Sequence, residues 1–397
     1  MEYDLVFEGG GAKGMVFGGA LKAFEERGHT FGRLMGTSAG AIAATFLAAG
    51  YSADEMQDAL SERVHGEPVF AGFLGVPESF DTEVISASAT REWLKKSDIP
   101  IIPDGWEDRV DEWIVETLLK SALYRHIFSF VERGGWYSAD AFLAWLKRKL
   151  DEGTVNGEPR RYSDKTLKEF FEETKVDLTL LAADVTDGRL LVLNHRTAPD
   201  LPLVWAVRMS MSVPLLWQEV IWQPEWGAYR GKDISGNAVV DGGLLSNFPI
   251  ELFITEEPMW TAVMGPKKSD HLIGMLIDER LPVPGVDPDD CPAASSLADL
   301  RTVGRIKGLV ETVTQARDKA VISAYKDFVL RLPAKCYQTT EFNMEEWKRE
   351  LLVKAGEEKM TAFLNEQGST PPTTSPVFEA VGFFNQADDV AAKLLGG

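Results

Sequence analysis

A chain of 397 residues, 45% hydrophobic and 26% charged, can bury a sizeable core and is too apolar to be a disordered polymer. Its 61 acidic against 41 basic residues leave a net charge of −20, which argues against non-specific nucleic-acid binding and simple electrostatic docking on anionic membranes. Only two cysteines occur, Cys291 and Cys336, too few for a disulfide framework or a zinc cluster, so a reducing compartment is the simpler expectation.

Met1-Glu2-Tyr3-Asp4 shows no basic region leading into an apolar core, and no apolar run reaches the ~18 residues of a membrane span. The expected location is therefore cytoplasmic, with action at membranes and delivery by a specialised route left open. Leu5-Val6-Phe7 is a buried-strand signal that runs into Glu8-Gly9-Gly10-Gly11-Ala12-Lys13-Gly14, and a helix from Met15 to Arg27 follows, stopped by Gly28. Gly9, Gly11 and Gly14 satisfy the Gly-x-Gly-x-x-Gly pattern of a dinucleotide-binding turn. That reading needs a carboxylate at the end of the next strand. The next strand, around Arg33-Leu34-Met35, ends in Gly36-Thr37-Ser38-Ala39-Gly40 instead. A Walker loop fails as well, because Lys13 is followed by Gly14 and not by Ser or Thr. Backbone N–H groups at a helix start can hold a developing oxyanion, and this is the better reading of the loop.

The Gly36–Gly40 stretch has the form of a nucleophile elbow, a strained strand-to-helix turn with its serine at the tip. Small apolar residues follow, from Ala41 to Ala49, and Gly50 is a helix stop. A helix is expected from Ala53 to Val64. Residues 66–136 are irregular and rich in Phe, Trp, Pro and Gly, including Phe70, Phe73, Leu74, Ile99-Pro100-Ile101-Ile102-Pro103, Trp106 and Trp113. They read as an insertion, either a lid or membrane-contacting surface, or helical decoration packed on the sheet. An amphipathic helix spans Ser138 to Leu150, two β-rich runs span Val176–Val185 and Leu190–Leu193, and Leu203–Met211 is helical.

Ala238-Val239-Val240 is a short strand that stops at Asp241-Gly242-Gly243, placing one carboxylate at a strand end. In parallel sheets sites gather at the C-terminal strand ends, and Gly9–Gly14, Ser38 and Asp241 are all expected there. Further strands are expected at His271–Asp278 and Phe328–Leu332, with helices at Leu297–Tyr325 and Met344–Leu364. Thr, Ser and Pro between Gly368 and Pro376 mark a linker, giving a main domain over 1–368 and a tail over 369–397.

Four segments together resemble the patatin-like phospholipase family in its bacterial form: Gly9–Gly14, Gly36–Gly40, Asp241-Gly242-Gly243, and Ala206-Val207-Arg208-Met209-Ser210-Met211-Ser212-Val213-Pro214. Weaker echoes are Gly134-Gly135-Trp136-Tyr137 and Thr339-Thr340-Glu341-Phe342-Asn343. The resemblance implies a three-layer α/β/α fold, a modified α/β-hydrolase with a central, mostly parallel sheet. It implies lipid acyl hydrolysis by a Ser–Asp dyad: Ser38 as nucleophile, Asp241 as general base. Gly9, Gly10, Gly11, Ala12, Lys13 and Gly14 would form the oxyanion hole, with Gly36, Gly40, Gly242 and Gly243 supporting. No metal or cofactor is implied. The expected substrate is a phospholipid or another lipid ester met at a membrane surface, with no nucleic-acid partner; any activator and the oligomeric state stay open.

Chemically, burial should raise the pKa of Asp241 enough to make it a useful base for the serine proton. Competing readings are a neutral-lipid or general carboxylesterase on the same fold, a non-catalytic dinucleotide or ligand-binding module, and a pseudoenzyme. A Ser–His–Asp hydrolase would have to draw on His29, His65, His126, His195 or His271, none of which lies in a segment resembling a triad loop.

Overall fold

Alternation along the first strand, β1 (Glu2–Phe7), sends Leu5 and Phe7 to one face of the sheet and Val6 to the other. A computed structural model describes residues 1–77, 80, 88–89, 120–287, 291 and 321–367. Behind β1 come a 3-10 turn (Gly11–Met15), α1 (Val16–Glu26), β2 (Thr30–Thr37), α2 (Ala39–Ala48) and α3 (Ala53–Leu60). α3 stops four residues short of the expected Val64. His65 (φ 54°) and Gly66 (φ 88°) make a left-handed two-residue turn there, joining β3 (Arg63–Val64) to β4 (Glu67–Pro68). The short helix α4 (Val69–Gly72) completes this stretch.

The second described block runs through α5 (Ala122–Arg133), β5 (Gly135–Tyr137), α6 (Asp140–Asp151), the hairpin β6–β7 (Thr154–Val155, Glu158–Pro159) and α7 (Leu167–Thr174). It continues with β8 (Asp177–Asp184), β9 (Arg189–Leu193), α8 (Leu203–Ser210), β10 (Leu215–Trp217), β11 (Val220–Ile221) and β12 (Ala238–Asp241). Last come α9 (Glu251–Ile254), α10 (Pro258–Met264), β13 (Leu272–Asp278), β14 (Val329–Pro333) and α11 (Glu346–Gln367).

The main sheet has eight strands, in the order β11-β12-β8-β2-β1-β13-β14 with β9 also paired to β8. From β8 through β2, β1 and β13 to β14 every pairing is parallel; β9, β11 and β12 run antiparallel to their partners. β8 is buried along its whole length, as a central parallel strand covered on both faces should be. One apolar core packs α1, α2 and α11 on the face carrying Leu5, Phe7 and Leu34. Another packs Phe248, Leu252, Phe253, Val263 and Met264 on the face carrying Val6, Met35 and Leu181. These are the three layers of an α/β/α fold.

Three expectations are sharpened or changed. Asp241 ends its strand, but β12 is antiparallel to β8, so it does not share a parallel edge with Ser38 in the expected way. Of the two alternatives for the stretch holding Phe70 and Phe73, lid or membrane-contacting surface or decoration packed on the sheet, these two residues follow the packed one: Phe73 is 3% exposed and packs edge-on to Phe142, while Phe70 stacks on Phe342 at 6.3 Å. Leu74 is partly buried against the same core. Their spacing fits the aromatic pocket around Trp145, a packing outcome that composition alone cannot distinguish from an exposed patch. Finally, Cys291 and Cys336 are paired in a disulfide with Cα atoms 4.5 Å apart, so their small number carries no argument about the compartment.

Ile99–Pro103, Trp106 and Trp113, most of the helix expected over 297–325, and the tail over 369–397 lie outside the described residues. Among the described residues no helix is long and apolar enough to cross a membrane.

Candidate active site

Two strands run toward each other along one edge of β8. On its other edge β9 pairs with Leu180 through Asp184, so β2 and β12 must both lie on the opposite edge. β2 occupies that edge as far as Leu181, opposite Thr37; β12 takes over at Ala182, opposite Asp241. The strands therefore stop head to head at adjacent positions. Ser38, one residue past β2, meets Asp241, the last residue of β12.

The elbow is built as its sequence requires. Ser38 sits at φ 54°, ψ −122°, a costly conformation for a residue with a side chain, and caps α2. A Cβ on Gly40 would stand 2.3 Å from the Phe7 carbonyl oxygen, and one on Gly36 would stand 2.1 Å from that of Gly40. Only glycine lets these three backbone segments approach so closely.

Asp241 is 4% exposed and Ser38 7%. One carboxylate oxygen, Oδ1, accepts the Gly243 N–H at 2.7 Å. The other, Oδ2, is buried with no hydrogen-bond partner. Burial pushes the Asp241 pKa up to about 7, against the opposing pull of the nearby Ser38 hydroxyl and the Gly243 N–H. Serine and carboxylate are thus neighbours without a fully formed hydrogen bond, a common state of catalytic pairs before substrate binds. Gly242 packs on the Leu181 carbonyl and fixes where the chain turns away from Asp241.

The glycine loop lies against Ser38 and against Asn247 from the loop after Asp241: a Cβ on Gly9 would be 3.0 Å from the Ser38 Cβ and 2.2 Å from Asn247 Oδ1. Its N–H groups are not equivalent. Gly9 donates to the Asn247 carbonyl, Ala12 to the Thr339 carbonyl at 2.9 Å, and Lys13 to the Gly10 carbonyl at 3.3 Å. Gly14 lies inside the 3-10 turn. The Gly10 and Gly11 N–H groups have no acceptor among the described residues. Lys13 is buried and its Nζ pairs with Glu279.

Asn247 went unassigned in the sequence. Its Nδ2 donates to the Gly9 carbonyl at 2.9 Å and to Glu8 Oε1 at 3.3 Å, and Glu8 Oε2 accepts the Ile277 N–H at 2.6 Å. The loop after Asp241 is thereby bolted to the start of the glycine loop. The peptide is planar, so holding the Gly9 carbonyl also sets the direction of the Gly10 N–H. The signal was there in an Asn six residues after the Asp, but nothing in one sequence says where such an amide points. The histidines make other contacts: His126 Nδ1 donates to the Trp136 carbonyl, His195 stacks on Phe171, and His29 and His271 flank Tyr3.

Known proteins resemble this chain to different extents. The chain is 28% identical to the uncharacterized protein YqhO of Bacillus subtilis (strain 168) over 374 residues, covering 92% of this chain and 99% of that one. It is 26% identical over 110 residues to the probable lipid hydrolase 463L of Invertebrate iridescent virus 6, covering 28% of this chain and 32% of that protein. The crystal structure of VipD from Legionella pneumophila superimposes with a TM-score of 0.46 at 16% identity, over 92% of this chain and 67% of that one. The family model Patatin-like phospholipase matches residues 5–254, a span that holds the glycine loop, the elbow and the Asp241 turn, and the chain belongs to that family.

Proposed function

We propose that the protein is a phospholipase A-type lipid acyl hydrolase that works through a Ser38–Asp241 dyad. One observation carries the reading: the head-on meeting of β2 and β12, which brings an elbow serine beside a buried carboxylate poised near neutrality. Asp241 takes the hydroxyl proton as Ser38 Oγ attacks the ester carbonyl carbon. The oxygen of the tetrahedral adduct gains the negative charge, and the N–H groups of Gly10 and Gly11 are the donors left to receive it. When the adduct collapses, the C–O bond to the leaving alcohol breaks and Asp241 returns its proton to that oxygen. Water then attacks the acyl-serine ester, again losing a proton to Asp241, and the fatty acid leaves as Ser38 recovers its hydrogen.

The family supports a lipid ester, and phospholipid at a membrane surface is the substrate class we assign. With a charge of −20, contact with that surface is local and apolar rather than global and electrostatic. The test is hydrolysis of long-chain phospholipid vesicles followed by lipid mass spectrometry. Ser38→Ala is expected to remove about 10³–10⁶-fold of the rate with the circular dichroism spectrum unchanged. A folded Ser38→Ala protein with full activity overturns the assignment; activity on neutral glycerides or soluble esters alone overturns the substrate class.

A further inference from the structure

Arg208 is a fully buried cation with no carboxylate within ion-pair distance among the described residues, unlike the equally buried Arg33 and Arg160, which pair with Asp4 and Glu55. Its guanidinium donates instead to neutral oxygens: Ser212 Oγ, the Ser138 carbonyl at 3.1 Å and the Gln218 carbonyl at 2.9 Å. Burying a charge without a counter-charge is costly unless its hydrogen bonds are well met. Those bonds converge on one short stretch, the end of α8 and the turn after it. The stretch is clamped from three sides: to the start of α6 through Ser138, to the chain after β10 through Gln218, and to itself where Ser212 Oγ donates to the Arg208 carbonyl at 2.6 Å.

The same stretch touches both reactive residues by their backbones. Ser210 Oγ, fully buried, accepts the N–H of Ser38 at 3.1 Å. Two residues on, the Ser212 carbonyl accepts the N–H of Asp241 at 2.9 Å. Among the described residues, this stretch alone accepts the N–H groups of both Ser38 and Asp241. From this we infer that Arg208–Ser212 is a positioning cradle, in which Ser210 and the Ser212 carbonyl set the separation of Ser38 and Asp241 and Arg208 keeps the cradle rigid. The inference rests on the dyad reading above.

The reason for such a device is visible in the strand arrangement. β2 and β12 abut end to end and share no ladder with each other; β8 registers both strands, but Ser38 lies one residue past the β2 ladder, so the serine itself is placed by its turn and not by a strand pairing. Ser38 is also strained, and without an acceptor its buried N–H would let the elbow relax away from the carboxylate. A hydroxyl two residues from a carbonyl, on one rigid turn, supplies the missing ruler.

The experiment compares wild type, Ser210→Ala, Ser210→Thr and Arg208→Lys, with active sites counted by a fluorophosphonate probe that labels the reactive serine. For Ser210→Ala, kcat per titrated site is expected to fall about tenfold to a hundredfold, the range that loss of one aligned contact produces. KM should stay within about twofold, because the hydroxyl does not touch substrate. Ser210→Thr, which restores the acceptor, should recover most of the loss. Arg208→Lys keeps the charge but not the fork of donors, and should lower kcat in the same direction. A purely structural role would lower melting temperature and the number of titratable sites while leaving kcat per site unchanged, and that result overturns the cradle. Unchanged kcat in Arg208→Lys removes the arginine from it. Ser38→Ala is run beside them: if it retains hydrolysis, the dyad fails, whereas a dead Ser38→Ala with a fully active Ser210→Ala sinks the cradle alone.

Discussion

The two halves of the site are made in different ways. The backbone of Ser38 is shaped mainly by residues close to it in sequence, the end of β2 and the start of α2, with Gly36 and Gly40 removing the clashes that the turn would create and Ser210 adding one distant hydrogen bond. Asp241 is held by distant ones: Ala182 on β8 beside it, Ser212 behind its N–H, and Asn247 tying the loop after it to Gly9. A local motif can specify an unusual backbone by itself. A buried base with a raised pKa needs the whole fold, because desolvation comes from everything packed around it.

That contrast is tested most sharply at Asp241. Its carboxyl titrates at about 7 in the folded protein, well above the ordinary value of 3.8. As the base it must be ionised, so kcat/KM should fall about tenfold per pH unit below 7 and level off above it. The sign for stability is the opposite. The folded state binds this proton more tightly than the unfolded chain does. Stability contributed by the protonated form is therefore complete below the unfolded pKa and is lost as pH rises through about 7. Asp241→Asn should abolish hydrolysis and yet raise stability at pH 8 by about 2–4 kcal/mol, because a neutral amide has no charge to desolvate. A melting temperature at or below that of the wild type would show that the carboxylate is better solvated than its burial indicates.

At the other half the expected loss is structural. Gly40→Ala places a methyl group against the Phe7 and Glu8 carbonyl oxygens, at 2.3 and 2.7 Å, with no flexible side chain to yield. We expect a stability loss of about 3 kcal/mol and at least about a hundredfold loss of hydrolysis as the serine is displaced. Thermal melts and fluorophosphonate labelling measure the two effects separately; wild-type labelling would mean that the elbow tolerates the methyl.

How far each half could be read from the sequence follows the same division. The elbow, the glycine loop and the strand–loop–helix units around them were legible because short-range sterics leave few alternatives for Gly-x-Ser-x-Gly between a strand and a helix. The strand carrying Asp241 was legible too, but not its direction: Ala238–Val240 is equally apolar whether it runs with β8 or against it. Phe70 and Phe73 stayed open between lipid contact and packing for a related reason. Whether an aromatic faces lipid or core depends on what stands opposite, here Phe142, Trp145 and Phe342 from other segments. Asn247 and Ser210 were invisible as site residues because a single hydrogen bond leaves no periodic trace.

Asn247 gives the intermediate effect. Asn247→Leu keeps the volume but deletes the donors to the Gly9 carbonyl and to Glu8, freeing the peptide whose far side is the Gly10 N–H. Loss of one aligned contact of this kind should cost about tenfold to a hundredfold in kcat. Asn247→Asp presents a carboxylate to the Gly9 carbonyl and to Glu8, and should be worse than Asn247→Leu. If both variants turn over at the wild-type rate, the glycine loop is positioned without help from the Asp241 loop.

The smallest effect is expected at the histidines. A Ser–His–Asp mechanism requires an imidazole between the alcohol and the acid. Here the space between Ser38 and Asp241 is the junction of two strand tips, and His29, His126, His195 and His271 pack on aromatic rings elsewhere. His126 lies stacked on Trp136 at 5.2 Å. Burial lowers the pKa of His195 to about 4, which leaves it neutral, and it is stacked on Phe171 at 3.6 Å. Replacing His29, His65, His126, His195 and His271 one at a time should therefore change kcat per titrated site by less than about threefold, within the range of ordinary surface and packing substitutions. It should also leave the pH midpoint near 7 where it was, since that midpoint belongs to Asp241. Abolition of activity by any single histidine variant that still folds, or a midpoint that moves with it, would replace the dyad with a triad and make the carboxylate an orienting group.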